Sequence, residues 1–123
     1  MKTILLIGSG GFIGSVARYG LQQLIARFYS PAFPLGTLLV NLAGCFAIGL
    51  IYGLAERGTW LNEDGRLFLA IGLCGGFTTF SSFSYENIKL VRDGQFGLAL
   101  LYIAVSVVLG MALTFAGIFL TRN

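Results

Sequence analysis

Four long apolar runs divide the chain, at about residues 3–28, 36–55, 66–91 and 97–120, and only short polar stretches separate them. A helix needs about 20 predominantly apolar residues to cross a bilayer, and each run is long enough. The intervening stretches carry turn chemistry. Tyr29 to Leu35 is punctuated by Pro31 and Pro34. Glu56 to Asp64 is a short polar loop, with Trp60 placed as an interfacial anchor. Arg92 to Phe96 is a tight loop. The pattern predicts an all-α membrane protein of four transmembrane helices, a single domain over residues 1–123.

The third run departs from a regular helix at its centre. Gly72-Leu73-Cys74-Gly75-Gly76-Phe77-Thr78-Thr79-Phe80-Ser81-Ser82-Phe83 places a Gly-Gly pair directly before Thr-Thr. Glycine costs about 1 kcal/mol relative to alanine inside a helix, and Thr and Ser side chains compete for backbone hydrogen bonds. The stretch predicts a break over residues 75–79 with a half-helix on each side. Unwound backbone at membrane depth persists only where protein or a cavity surrounds it, and such breaks mark ion sites in transport proteins. A plain Gly/Ser/Thr helix-packing face is the other reading. Beyond the break, Phe80 and Phe83 share one helical face, and Ser81 and Ser84 a neighbouring one.

The remaining runs contribute isolated polar positions. In the first, Gly8 to Gly14 misses the dinucleotide spacing G-x-G-x-x-G, and Gly10 with Gly14 fits close helix packing instead. The same face continues through Arg18 and Gln22. Arg18 either faces protein or water, or snorkels to the helix end. In the second run Asn41 is the only amide, and an amide there either joins helices or donates to an ion. Gly49 and Gly53 form a small-xxx-small pair. In the fourth, Tyr102, Ser106, Gly110 and Thr114 recur every four residues. Such a stripe serves equally as the wall of a polar path or as a packing face. Glu86 is the only acid near a span, with Lys89 three residues on as a local partner.

Composition narrows the chemistry. Hydrophobic residues make up 56% and charged residues 11% of the chain, against about 25% charged in soluble domains, and the mean hydropathy is +0.85. The first apolar run has no small-residue cleavage site of the kind a signal peptide carries. The net charge of +3 is scattered, so nucleic acid is not an expected partner. With no His and two Cys, no conventional transition-metal site is expected, and Cys45 and Cys74 read as packed thiols. No nucleotide motif or catalytic constellation points to an enzyme. What remains is binding chemistry: backbone carbonyls at the break suit a hard cation, while N–H and O–H donors and the positive edges of phenylalanine rings suit an anion.

The stretch from Gly72 to Ser84 resembles the signature of the Fluc (CrcB) fluoride channels, as do Gly36 to Asn41 and the Gly14-to-Tyr19 segment with Arg18. The resemblance covers essentially the whole chain. It implies an antiparallel, dual-topology homodimer with two fluoride pores in a prokaryotic plasma membrane. It further implies a structural, untransported Na⁺ held by backbone carbonyls of Gly75 and Thr78 from both subunits. Phe80, Phe83 and Asn41 match pore residues. Ser81, Ser84 and Thr114 match a polar track, Tyr102 an aromatic position, and Arg18 a vestibule or interface arginine. Phe77 and Ser82 stand where the family often has Leu and Thr.

Two readings compete with a passive fluoride channel. A small proton-coupled exporter needs a titratable acid within a span, for which Glu86 is the only candidate. A non-transporting assembly subunit leaves the break and Asn41 without a role. The charge pattern bears on topology. Lys2, Arg57, Arg66 and Arg122 fall on one side, and Arg27, Lys89 and Arg92 on the other. Four against three is almost no bias under the positive-inside rule, so insertion in both orientations is expected.

Overall fold

A computed structural model describes the whole chain except residues 30–32, 59–60 and 123; Pro31 and Trp60 therefore lie outside the described residues. The four expected spans are present as helices over Lys2–Phe28, Leu35–Arg57, Glu63–Arg92 and Phe96–Arg122. The first, α1 (Lys2–Phe28), and the second, α2 (Leu35–Arg57), are continuous. The third is composite: α3 (Glu63–Arg66), a π-helical stretch (Leu67–Cys74), α4 (Gly75–Phe77), then α5 (Phe80–Arg92). The fourth is α6 (Phe96–Arg122).

Local chemistry sets the ends. Gly58 closes α2 with φ of 73°, a left-handed conformation that favours glycine, and its N–H returns to Ala55 O. Gly94, with φ of 78°, turns the chain between α5 and α6. Asn62 caps α3 by accepting from the Gly65 N–H at 2.7 Å.

Small residues decide which helices approach. The seam between α2 and α6 runs along Gly49, Gly53 and Gly117. A Cβ on Gly117 would come within 2.6 Å of Phe46 O and 2.7 Å of Leu50 N. Two hydroxyls tie the seam: Thr114 Oγ1 donates toward Cys45 O and Gly110 O, each at 3.1 Å, and Thr121 Oγ1 toward Leu50 O at 3.0 Å. The Gly49/Gly53 pair thus packs as expected. On the other side α1 lies on the π-helical stretch and α4 through Gly10 and Gly14. With this little side-chain bulk between helices, backbones meet directly, which is how spans associate without a hydrophobic driving force between them.

Side-chain burial is correspondingly thin. One cluster joins Leu38, Leu90, Ala99 and Tyr102, and another Ile51, Ala70 and Cys74. Large apolar side chains such as Phe12, Phe80, Met111 and Phe115 are more than two-thirds exposed on the single chain. In a membrane these faces meet lipid or another copy of the chain.

Candidate functional site

The break is shorter than the glycine pair suggests. Helical backbone continues through Gly75, Gly76 and Phe77, and only Thr78 and Thr79 are extended, with ψ of 159° and 119°. The expected break over residues 75–79 is corrected to these two residues. The physical reason is that Gly76 serves close approach. A Cβ on Gly76 would lie 2.5 Å from Gly11 O, so helical geometry there lets α4 settle on α1. Before the break the helix is wound wide: the Gly75 N–H reaches back five residues to Ala70 O. This π-helical winding over Leu67–Cys74, often found near functional positions, was not legible as a pattern of apolar positions.

Asn41 clamps the break from α2. Its Nδ2 donates to Thr79 O at 3.0 Å, and its Oδ1 accepts from the Thr79 N–H at 2.8 Å. The side-chain amide thus pairs with both the N–H and the carbonyl of Thr79, satisfying backbone that the interrupted helix leaves open. In an uninterrupted helix the Thr79 N–H would bond Gly75 O; here Asn41 takes it. Thr79 also caps α5, accepting from the Ser82 N–H at 3.2 Å. Thr78 returns both its N–H and its hydroxyl to Cys74 O, at 3.0 and 2.9 Å. From α1, Arg18 Nε donates to Gly76 O at 3.1 Å. Arg18 therefore faces protein rather than snorkelling away.

A cavity of about 430 Å³ opens beside the clamp, walled by Asn41, Cys74, Thr79, Phe80, Phe83 and Ser106 among others. Gly75 and Thr78 border it too. Ser106 Oγ is buried with no hydrogen-bond partner. The periodicity of the fourth span contained this residue; its donor is unspent beside the amide and the two phenylalanines. The stripe is divided in its roles. Ser106 borders the cavity, whereas Gly110 and Thr114 pack on α2, the Thr114 hydroxyl turned onto backbone carbonyls. Thr114 is not brought to this cavity. Ser81 and Ser84 are exposed on α5 and also lie off its wall.

A row of aromatic rings leads away from the break. Phe80 and Phe83 are 5.7 Å apart between ring centres, Phe83 and Tyr102 4.9 Å, and Tyr102 and Phe33 5.5 Å in an edge-to-face pair. At the end of the row stands Glu86. Gln22 Nε2 donates to Thr37 Oγ1 at 3.1 Å, Thr37 donates to Glu86 Oε2 at 2.7 Å, and the Tyr102 hydroxyl donates to Glu86 Oε1 at 2.8 Å. The expected local pairing of Glu86 with Lys89 is corrected: among the described residues Lys89 makes no ion pair, and the carboxyl turns inward to hydroxyls of α2 and α6. Thr37 and Gln22 were missed as partners. Their signal was the four-residue step, which places Thr37 one turn before Asn41 and Gln22 one turn after Arg18. Two smaller cavities, of about 340 and 240 Å³, both border Glu86.

The sequence model of the family described as CrcB-like protein, Camphor Resistance (CrcB), matches residues 5–118. A protein of Azobacteroides pseudotrichonymphae named "Fluoride-specific ion channel FluC" is 46% identical over 122 residues, covering 99% of this chain and 98% of its own length. One of the same name from Flavobacterium psychrophilum is 43% identical over 123 residues, with 100% and 99% covered. Another, from Chlorobaculum tepidum, is 49% identical over 122 residues, with 99% and 96% covered.

Proposed function

The chain belongs to the CrcB-like family, and from that premise we propose that it is a passive fluoride channel. Its similar relatives carry that activity in their names. The observation that carries the reading is the clamped break: the Asn41–Thr79 pair holds open a gap in a span beside two phenylalanines and the unspent Ser106 hydroxyl. Donor groups and ring edges without a full positive charge suit an anion that must bind and then leave. The aromatic row from Phe80 to Tyr102 offers successive ring edges between the break cavity and the cavities at Glu86.

Hydrogen fluoride is a neutral weak acid that crosses membranes and dissociates in a less acidic cytoplasm. Fluoride is then trapped, and a negative-inside potential drives it out, since about 2.3 kcal/mol per charge is available for each 100 mV. No coupling ion is required.

Fluoride efflux from liposomes containing only this protein tests the proposal. Rapid efflux dissipating with the membrane potential supports it. The second reading, a proton-coupled exporter, is favoured by one observation, the engagement of Glu86 inside the helix assembly. Efflux that stops when the proton gradient is collapsed at constant potential would establish that reading. Phe80→Ile and Phe83→Ile are each expected to cut flux severely while leaving the assembly intact, with Phe80→Met milder because a polarizable side chain of similar size remains. Unchanged flux in both isoleucine variants would remove the rings from the pathway.

The arrangement we propose is an antiparallel homodimer of oppositely inserted copies, related by a two-fold axis in the membrane plane. The near-absent charge bias and the exposed apolar faces support it. Such an axis lets the two breaks meet. Gly75 O is relieved of the Thr79 N–H, and Thr78 is extended, so their carbonyls fit a hard cation, two from each copy. Na⁺ there would be structural, joining the two copies. Activity of purified protein is expected to fall in rigorously Na⁺-free buffer, and full activity there would count against the site. Labelling a single cysteine introduced in the Glu56–Asp64 loop is expected from both sides of intact cells. Labelling from one side alone, at full activity, would overturn the dual topology.

A further inference from the structure

The aromatic row ends on a carboxylate with no partner of opposite sign. Glu86 is half-buried, and both its oxygens accept: Oε2 from Thr37 at 2.7 Å and Oε1 from Tyr102 at 2.8 Å. Neutral hydroxyls satisfy lone pairs without cancelling charge, and a partly buried charge without a counter-charge is costly. Among the described residues no Lys or Arg forms an ion pair with it. Lys89 is exposed and borders the larger of the two cavities at Glu86, together with Asp93, whose carboxylate offsets it. The smaller cavity, of about 240 Å³, has no basic residue among the described residues of its wall. There Glu86 stands with Gln22, Ser82 and the rings of Tyr29 and Phe33. Gln22 gives its Nε2 to Thr37 at 3.1 Å, which leaves its amide oxygen as a further acceptor.

We propose that this smaller cavity binds a small organic monocation bearing N–H donors, of which methylguanidinium is the model, against the Glu86 carboxylate. A guanidinium group is planar, and its forked donors match a carboxylate. Aromatic walls attract such a cation through the ring quadrupole. A hard divalent metal ion is a poorer fit, since it takes about six to eight oxygen ligands and no group of three or more His, Cys, Asp or Glu is gathered among the described residues. The volume falls below the ~300–1,000 Å³ of pockets for drug-sized ligands, so the occupant is small. Access is short. Glu86 lies six residues before the end of α5 at Arg92, a rise of about 9 Å, so a cation from water reaches it without crossing the membrane. Cation binding here stands apart from the fluoride-channel reading, although a cation so placed would sit at one end of the aromatic row.

The test reads binding apart from transport. Purified protein in neutral detergent is titrated with methylguanidinium chloride in excess potassium chloride at fixed ionic strength. Binding is followed by magnetisation transfer from the protein to the ligand's methyl protons. Saturable binding is expected. Methylurea, of nearly the same shape and without charge, is expected to give no saturable signal. Glu86→Gln, which keeps the size and loses the charge, should weaken binding at least about tenfold, because the charge-assisted hydrogen bonds are lost. Gln22→Leu should weaken it severalfold, and Lys89→Ala, outside this cavity, should not weaken it. Equal binding of methylurea, displacement by potassium at equal concentration, or undiminished affinity in Glu86→Gln would each overturn the site. The first two are read on the unaltered protein, so they decide the matter even where Glu86→Gln fails to fold. Efflux is read separately: saturable cation binding with unaffected fluoride efflux would leave the cation site standing and remove this cavity from the permeation path.

Discussion

Asn41→Asp is expected to abolish fluoride flux and to lower the thermal stability of the purified protein. Asn41 both donates to Thr79 O and accepts from the Thr79 N–H. An ionised carboxylate keeps the acceptor but has no donor, so it faces the Thr79 carbonyl with like partial charge and leaves that oxygen unpaired. An unsatisfied buried polar group costs about 1–3 kcal/mol, more where a charge is involved, and a rise of that size in a barrier slows a step by roughly fivefold to more than a hundredfold. The carboxylate also repels the anion entering the cavity that Asn41 borders. Asn41→Ser, which keeps one donor and one acceptor on a shorter arm, is expected to retain part of the flux. The measurement is fluoride efflux from liposomes alongside a melting curve. An active Asn41→Asp channel of unaltered melting temperature would show that the clamp is dispensable to both.

The sequence carried the four spans and the small-residue seams because both rest on local composition read at fixed steps. Gly10 and Gly14 were legible as a packing face, and Gly49 and Gly53 likewise, since four-residue spacing puts them on one side of a helix. Asn41 was legible as exceptional, a lone amide in an apolar run, but its two readings were not separable. Which peptide it would pair with is decided by how α2 lies on the third span, a tertiary fact. Glycine weakens a helix in isolation, which widens the break expected from sequence, whereas here Gly75 and Gly76 are helical and Gly76 lies against Gly11 of α1. Sequence spacing on its own helix pairs Glu86 with Lys89. Its partners, Thr37 and Tyr102, lie 49 and 16 residues away, beyond any periodicity. The fourth-span stripe was ambiguous in sequence because a small hydroxyl suits water, ion and helix alike. Packing against α2 divides it between Thr114 and Ser106.

The contact between α1 and the third span sets where the break stands, and it has no room for a methyl group. Gly14→Ala is therefore expected to prevent accumulation of folded protein. A Cβ at Gly14 would run into Leu73 O and lie 2.8 Å from Phe77 N. Both are backbone atoms, in the π-helical stretch and in α4, so no side-chain rotation relieves the clash. Overpacking that side chains can absorb costs about 1–3 kcal/mol, and this case exceeds it because two helices must separate. Separation would carry Gly76 away from Arg18, whose Nε it now engages at 3.1 Å, and would shift Thr79 relative to the Asn41 clamp. The consequence is specific to the seam. Gly97→Ala, at an exposed position of α6 where a Cβ meets nothing within 4 Å, is expected to be neutral or slightly stabilising, since alanine favours the helix by about 1 kcal/mol over glycine. Yield in the monodisperse size-exclusion peak, together with fluoride efflux of whatever protein is recovered, decides the matter. Equal yield and equal efflux for the two variants would mean that the α1 contact yields easily and does not position the break.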